Sequence, residues 1–209
     1  MFRSFLIVSI RNLIRQKGFS LINLLGLTIG LTVSFLILLY VLSEMSYDKF
    51  HKDHDRIYRI ATEGNLGDMP INIAVTPGAL GVNLKKEIPG IEDYTMFEHI
   101  TGDQLFSTGD TKFYEDHLIF ADSRFFRLFS FPLRYGDISE ALKNPNSIIL
   151  SSEISKTYFG NENPTGKTLR LNNSMDMIIT GVLEEIPEET HLPVKMVASF
   201  QTRVKEQNG

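Results

Sequence analysis

Residues Gly160 to Thr168 read GNENPTGKT, a glycine, a short spacer and then Gly-Lys-Thr. These residue types could hold a nucleotide phosphate. That chemistry requires G-x-x-x-x-G-K-[ST] between a strand and a helix, so that backbone N–H groups and the helix N-terminus face the anion. Here five residues, Asn161 to Thr165, separate the glycines, one too many. The local pattern also predicts the reverse order, a helix ending at Gly160 and a strand starting near Lys167. The segment reads as a turn set by Pro164 and Gly166. Among the five histidines, His51 and His54 lie beside Asp53 and Asp55 and form the densest group of possible metal ligands. Their spacing puts two imidazoles on one helical face, and a site would need a third ligand. A hydrated, charged segment just outside a membrane has the same composition. The carboxylates of Glu184–Glu189 single out no acid–base pair. No G-x-S-x-G turn presents a serine, and there is no cysteine. No catalytic, cofactor-binding or metal residue is therefore assigned, and catalysis by this chain is not expected.

The elements that would position any site begin with a segment of a different kind. No charged residue occurs between Lys17 and Glu44, and Leu21–Leu42 is almost unbroken apolar sequence. A helix of those 22 residues spans roughly 33 Å at 1.5 Å per residue, enough to cross a bilayer core. It is too long for a signal peptide, and no small-residue cleavage site follows it. The boundaries read as a basic leader over 1–18, a transmembrane helix over 19–43 and an external domain over 44–209. In the leader, Phe2, Leu6, Ile10, Leu13 and Ile14 recur at helical spacing. Arg3, Arg11 and Arg15 fall on another side, so the leader reads as an interfacial helix or as a plain basic flank. Inside the span, Gly26, Gly30 and Ser34 form a small-residue stripe where another helix can approach.

The formal charge is −4; residues 1–43 contribute +4, leaving −8 on 44–209. Positive charge stays on the cytoplasmic side, which places the N-terminus inside and the acidic part outside, the periplasm of a two-membrane bacterium. An external surface that acidic is unsuited to nucleic acid.

Past the membrane the pattern is α+β. Arg56–Gly64 reads as a strand. A helix follows with Thr76 as N-cap and Pro77 at its first position, stopping near Pro89-Gly90. IEDYTMFEHI and KFYEDHLIFA each read as one strand, the second leading to Asp122. A short helix capped by Asp122 or Ser123 carries Phe125, Phe126 and Phe129, a face suited to core packing. NSIILSSEISKTYFG gives a strand and then a helix capped by Ser151 or Ser152. GKTLRLNN and SMDMIITGVLEEIP read as strands around an Asn-Asn-Ser turn.

These pieces, in order, resemble a MacB/FtsX-type ABC transporter permease of a form common in Bacteroidetes. The likeness lies in NLLGLTIGLTVSFLILLYVLSEMSYDKFHKDHDRIYRI, TPGALGVNLKKEIPGIEDY, ADSRFFRLFSFPLRYGD, ALKNPNSIILSSEISKTYFGNENPTGKTLRLN and MIITGVLEEIPEETHLPVKMVASF. It implies an N-terminal transmembrane helix followed by a mixed α/β periplasmic core domain, anchored in the bacterial inner membrane. It further implies a non-catalytic subunit with no cofactor, at least three more membrane helices after residue 209, and a second permease copy or homologue. A separate cytoplasmic ABC ATPase would drive export or mechanotransmission, with a periplasmic adaptor or substrate protein as a further partner. The sequence is then an N-terminal fragment of that permease. A self-sufficient membrane-anchored periplasmic sensor or binding module, dimerising through Gly26, Gly30 and Ser34, is the competing expectation. An anchored hydrolase would depend on His51 and His54.

Overall fold

A computed structural model describes residues 11, 14–67, 69–109, 111–187 and 190–207. They fall into two units, divided between Tyr47 and Asp48. In the first, α1 is a single helix over Lys17–Glu44 with no buried residue. Three of its hydroxyls bond within the helix: Thr28, Thr32 and Ser34 donate to the carbonyls of Leu24, Thr28 and Gly30 at 2.8–2.9 Å. Such internal pairing suits a helix in a medium without water. The leader residues Phe2–Ile10 and Leu13, read above as one face of an interfacial helix, lie outside the described residues.

The second unit runs from Asp48 and is organised by a nine-stranded mixed sheet. A 3₁₀ turn at His54–Arg56 leads to a separate hairpin of β1 (Thr62–Leu66) and β2 (Met69–Ile73). Helix α2 (Leu80–Glu87) follows, and then β3 (Phe97–Ile100), β4 (Gln104–Thr108), β5 (Thr111–Glu115) and β6 (Leu118–Ala121). The one-turn α3 (Phe125–Leu128) precedes β7 (Leu133–Gly136), β8 (Ser147–Leu150) and α4 (Ser152–Phe159). The chain closes with β9 (Thr168–Leu171), β10 (Met175–Leu183), β11 (Met196–Ser199) and α5 (Phe200–Gln207). The strand order is β3-β6-β11-β8-β10-β9-β4-β5, with β7 also on β10.

Strands β6, β8 and β11 bury all their residues. Because successive side chains point to opposite faces, each strand feeds two cores. Leu118 and Phe120 join Ile148, Leu150, Met196 and Ala198 on one face. Ile119 and Ala121 join Ile149 and Val197 on the other. Helix α4 covers the first face through Ile154, with Tyr158 and Phe159 at its border. On the second face lie Phe125, Phe126 and Phe131, all fully buried.

Local chemistry explains the best-matched elements. Ser151 caps α4 by accepting from the Ile154 N–H at 3.2 Å, and the helix stops at Gly160, whose φ is +63°. Asn172 and Asn173 take left-handed φ values of +50° and +56° in the β9–β10 turn, as a tight hairpin needs.

Other boundaries differ from the sequence expectations. Arg56–Gly64 is not one strand; the chain is irregular from Ile57 until Thr62, where β1 pairs with β2. Thr76 does not cap α2: Gly78 and Ala79 first form a turn in which the Pro77 carbonyl accepts from Leu80 N–H at 3.0 Å, and Ala79 takes the N-cap position. IEDYTMFEHI is extended into a strand only from Phe97. KFYEDHLIFA is two strands, broken where His117 adopts a left-handed φ of +58°. Strand β10 pairs with β9 through its first half and with β7 through its second.

The β7–β10 crossing is a close backbone approach. A Cβ on Gly136, at φ +97°, would lie 2.4 Å from the Thr180 carbonyl oxygen. Gly166, at φ +87°, faces open space. Gly136→Ala should therefore lower unfolding stability by more than Gly166→Ala, whose cost is the left-handed backbone alone, about 1–3 kcal/mol. Denaturant unfolding of the two variants, followed by near-ultraviolet circular dichroism, measures the difference.

Candidate functional site

The residues that the sequence singled out do not converge. His51 is 3% exposed, whereas His54 turns to Asp55, with Nδ1 2.8 Å from its carboxylate. Among the described residues, no three His, Cys, Asp or Glu side chains are grouped to hold a metal ion. Asn161–Lys167 is a helix-to-strand turn: Lys167 N–H donates to Pro164 at 2.9 Å, and Gly166 N–H to Ile179 at 2.7 Å. The Lys167 ammonium is bound to Glu162 at 2.7 Å, and the strand that follows supplies no helix N-terminus for a phosphate. Gly26, Gly30 and Ser34 lie on the exposed surface of α1, and nothing stands within 4 Å of where either glycine would carry a Cβ.

A different cluster forms immediately after the apolar helix in the chain. Asp48 is fastened to a loop 143 residues away. Its carboxylate accepts from the Thr190 hydroxyl at 2.9 Å and the His191 N–H at 3.1 Å, and it lies 2.8 Å from His191 Nδ1. Burial alone would push the Asp48 carboxyl up, but the hydrogen bonds from His191 and Thr190 outweigh it and hold it below the usual range. Three residues on, His51 fills a seat made by Phe50, Phe129 and Phe131, with ring centroids at 4.0, 5.5 and 5.1 Å. Lys52 N–H then donates to Ser130 Oγ at 3.3 Å. Asp48 and Ser130 both have left-handed backbones, at φ +57° and +44°. The clamp thus joins Asp48–Lys52 to two separate loops of the same domain, Phe129–Phe131 and Thr190–Leu192.

His51 is the costly member of this clamp. Neither ring nitrogen has a hydrogen-bond partner. Burial pulls its pKa below that of an ordinary imidazole, the nearby Asp48 opposes this, and the Phe129 backbone favours the charged ring without completing a hydrogen bond. The positive field of His54 adds to the lowering. A buried imidazole held neutral in this way packs as an aromatic residue.

The other polar centre lines an open cleft of about 570 Å³ between the turn that precedes α3, Leu142 and Pro145, and α5. There Asp122 accepts from the Thr95 hydroxyl at 2.7 Å and the Arg124 N–H at 3.0 Å, and it pairs with the Arg124 guanidinium at 2.6 Å. Arg124 lies over the Tyr94 ring at 3.8 Å. Asp122 is thereby committed to holding the turn into α3, and its oxygens are engaged rather than presented to the cleft.

This architecture, an apolar helix leading into a two-faced mixed sheet, can be compared with known proteins. The family described as MacB-like periplasmic core domain matches residues 20–207. This chain belongs to that family. Comparison with curated proteins gives no match. Among solved structures, the chain is similar to a domain from a Porphyromonas gingivalis protein described as a permease. The two share 20% identity at a TM-score of 0.57, over 68% of this chain and 60% of that one. It is also similar to the periplasmic region of MacB from Actinobacillus actinomycetemcomitans, with 17% identity, a TM-score of 0.47, and 62% and 58% of the two chains covered. The extracellular domain of the noncanonic ABC-type transporter YknZ from Gram-positive bacteria gives 15%, 0.48, 62% and 66%. The first likeness carries the fold of the MacB-like domain, and this chain spans only 60% of that relative's length. Family membership and the apolar helix together describe a membrane-anchored, permease-related protein.

The clamp in this MacB-like domain has a pH signature. Neutral His51 favours the folded state above the ordinary imidazole pKa of about 6.5. As pH falls below that value, the unfolded chain takes up a proton that the folded chain refuses, and stability declines. His51→Leu should remove this decline between pH 7.5 and 5.5 while leaving stability at pH 7.5 equal or higher. Denaturant unfolding at the two pH values checks it. Asp48→Asn acts at lower pH: the wild-type chain loses the contribution of Asp48 as the carboxylate protonates below about pH 4, and the variant lacks that loss.

Proposed function

We propose that this chain is the N-terminal part of an ABC transporter permease subunit. It couples a separate cytoplasmic ATPase to export or mechanotransmission in the periplasm. The observation that carries this reading is the family match over residues 20–207, which takes in most of the apolar helix as well as the folded domain. The helix lies in the inner membrane with its basic leader in the cytoplasm and residues 44–209 in the periplasm, as the charge asymmetry favours. Its stripe of Gly26, Gly30 and Ser34 packs against another membrane helix of the permease or of its second copy. ATP hydrolysis takes place in the partner chain, and no residue of this chain acts as a catalyst.

The juxtamembrane clamp gives the coupling a physical route along the chain. Only Met45, Ser46 and Tyr47 separate the end of α1 from Asp48. A displacement carried by the chain enters the domain at Asp48, His51 and Lys52. The bonds to Thr190, His191 and Ser130 pass it to two loops, one preceding β11 and one preceding β7.

The small-residue stripe also favours a second reading, a self-sufficient membrane-anchored sensor that dimerises through α1. Purification of the full-length native protein in mild detergent separates the two. An ATPase subunit recovered with it supports the permease reading, and a bare homodimer supports the sensor. On the permease reading, Gly30→Ile should reduce recovery of the ATPase at least several-fold while the domain's circular dichroism stays unchanged. Cysteine labelling of engineered sites at Ser20 and Glu63 in intact cells tests the orientation, with only the second expected to react with a membrane-impermeant reagent.

A further inference from the structure

The edge of the sheet at β3 carries a pair of histidines that the clamp does not involve. His99 lies on β3 opposite Ile119 of β6, and His117 occupies the turn between β5 and β6. Their rings meet edge to face, with His99 Nε2 3.4 Å from His117 Nδ1. An N–H···N hydrogen bond at that length is beyond the usual range for a nitrogen donor. Two imidazole nitrogens bound to one tetrahedral zinc ion, each at 2.0–2.1 Å, are separated by roughly 3.3–3.4 Å. The pair already has that spacing.

The surroundings prepare the same nitrogens. Asp116 Oδ2 lies 3.2 Å from His117 Nε2. The charge of that carboxylate favours the tautomer protonated at Nε2, in which Nδ1 carries its lone pair towards His99. Such carboxylate–imidazole contacts orient metal ligands and raise their basicity. Asp116 is held in turn by Lys195 at 2.7 Å, and Lys195 also reaches Glu115, which accepts from the Tyr158 hydroxyl. The left-handed backbone at His117 directs the ring to this position. It is a conformation that only a few residue types, histidine among them, adopt with any frequency.

We infer that His99 and His117 form a two-imidazole site for a borderline divalent transition-metal ion of the zinc class, two positions of which stay open to water or to a ligand from outside the chain. To bind, each ring tilts by about 35° so that its lone pair turns from its neighbour to the shared ion, an estimate from tetrahedral geometry. His99 is exposed and His117 half-buried, so both rings have room to turn. The His99 proton moves from Nε2 to Nδ1, and no net proton is lost. Asp116 is a positioning residue, not a ligand. Oxygen-seeking cations such as magnesium are not accommodated by two neutral nitrogens.

Isothermal titration of the full chain in detergent micelles with zinc chloride, without a polyhistidine tag or a coordinating buffer, tests this. Binding should saturate at one zinc per chain. His99→Gln and His117→Asn, the second chosen because asparagine tolerates the left-handed backbone, should each weaken it at least tenfold, and the double variant, which has neither imidazole, should show no saturable binding. Asp116→Asn should weaken it by about 10-fold without changing the stoichiometry. Copper(II) in place of zinc should give an electron paramagnetic resonance spectrum with two nitrogen couplings that either single variant reduces to one. The inference fails if zinc does not saturate at one per chain, if both histidine variants bind as the parent does, or if magnesium competes equally.

Discussion

Strands β6, β8 and β11 are apolar on both faces, and the rest of the folded unit is arranged around covering them. A strand of this kind leaves a row of large side chains in water unless something packs on each side. On one side the cover is α4, with Ile154 buried and Tyr158 stacked on Phe113 at 3.4 Å. On the other side only one helical turn is available, and aromatic rings take over. Phe125, Phe126 and Phe131 are buried there, with Phe129 at their border. Phe125 and Phe131 stack at 6.0 Å, and Phe125 meets Phe129 at 4.9 Å. The loop that receives His51 is part of this aromatic cover. The seat of the clamp is therefore as rigid as the core itself, because moving Phe131 would open a void beneath β6 and β11.

Polar contacts do a different task at the same place. Aromatic packing is tolerant of small shifts, whereas the Asp48 carboxylate, with its donors from Thr190 and His191, fixes a direction as well as a distance. The half-exposed site makes this pair a modest source of stability, since water screens it. What it supplies is register: it selects the left-handed turn at Asp48 and so directs Phe50 and His51 inward. The hydrogen bond from Lys52 N–H to Ser130 then fixes the exit of the segment.

Local signals made much of the fold legible. The apolar window Leu21–Leu42 lies inside α1, which runs past it at both ends, because in a helix of membrane length composition is the local signal. The run from β8 through β10 was readable because a serine cap, a glycine stop and an Asn-Asn turn each act over a few residues. Boundaries that depend on distant partners were not. IEDYTMFEHI has strand composition throughout, yet only Phe97–Ile100 finds β6 to pair with. KFYEDHLIFA looks continuous, but β5 pairs with β4 and β6 with β3 and β11, and the change of partner forces a break at His117. The clamp was beyond reach for the same reason. Asp48 stood in plain sight in YDKFHKDHD, but its partners lie in THL, and a single sequence carries no mark joining the two. The charged neighbours of His51 mark the segment as hydrated, and no local signal shows that its ring faces inward.

A membrane helix followed by a flexible linker would let its domain swing freely, and any displacement of the helix would be lost in the linker's conformational freedom. Within the domain itself, the entering segment Asp48–Lys52 is fastened. Asp48, the fourth residue after α1, is held by directional bonds, and His51, three residues later, by the burial of its ring. These contacts fall on two loops that are far apart in the chain: Phe129–Phe131 precedes β7, and Thr190–Leu192 precedes β11. Since β7 pairs with β10, and β11 lies between β6 and β8, a pull on Asp48–Lys52 is shared among the central strands rather than borne by one edge. Sharing of this kind lets a β-domain move as a body. On the proposed function, a rigid response to a helix displacement is what a domain coupled to a distant ATPase requires.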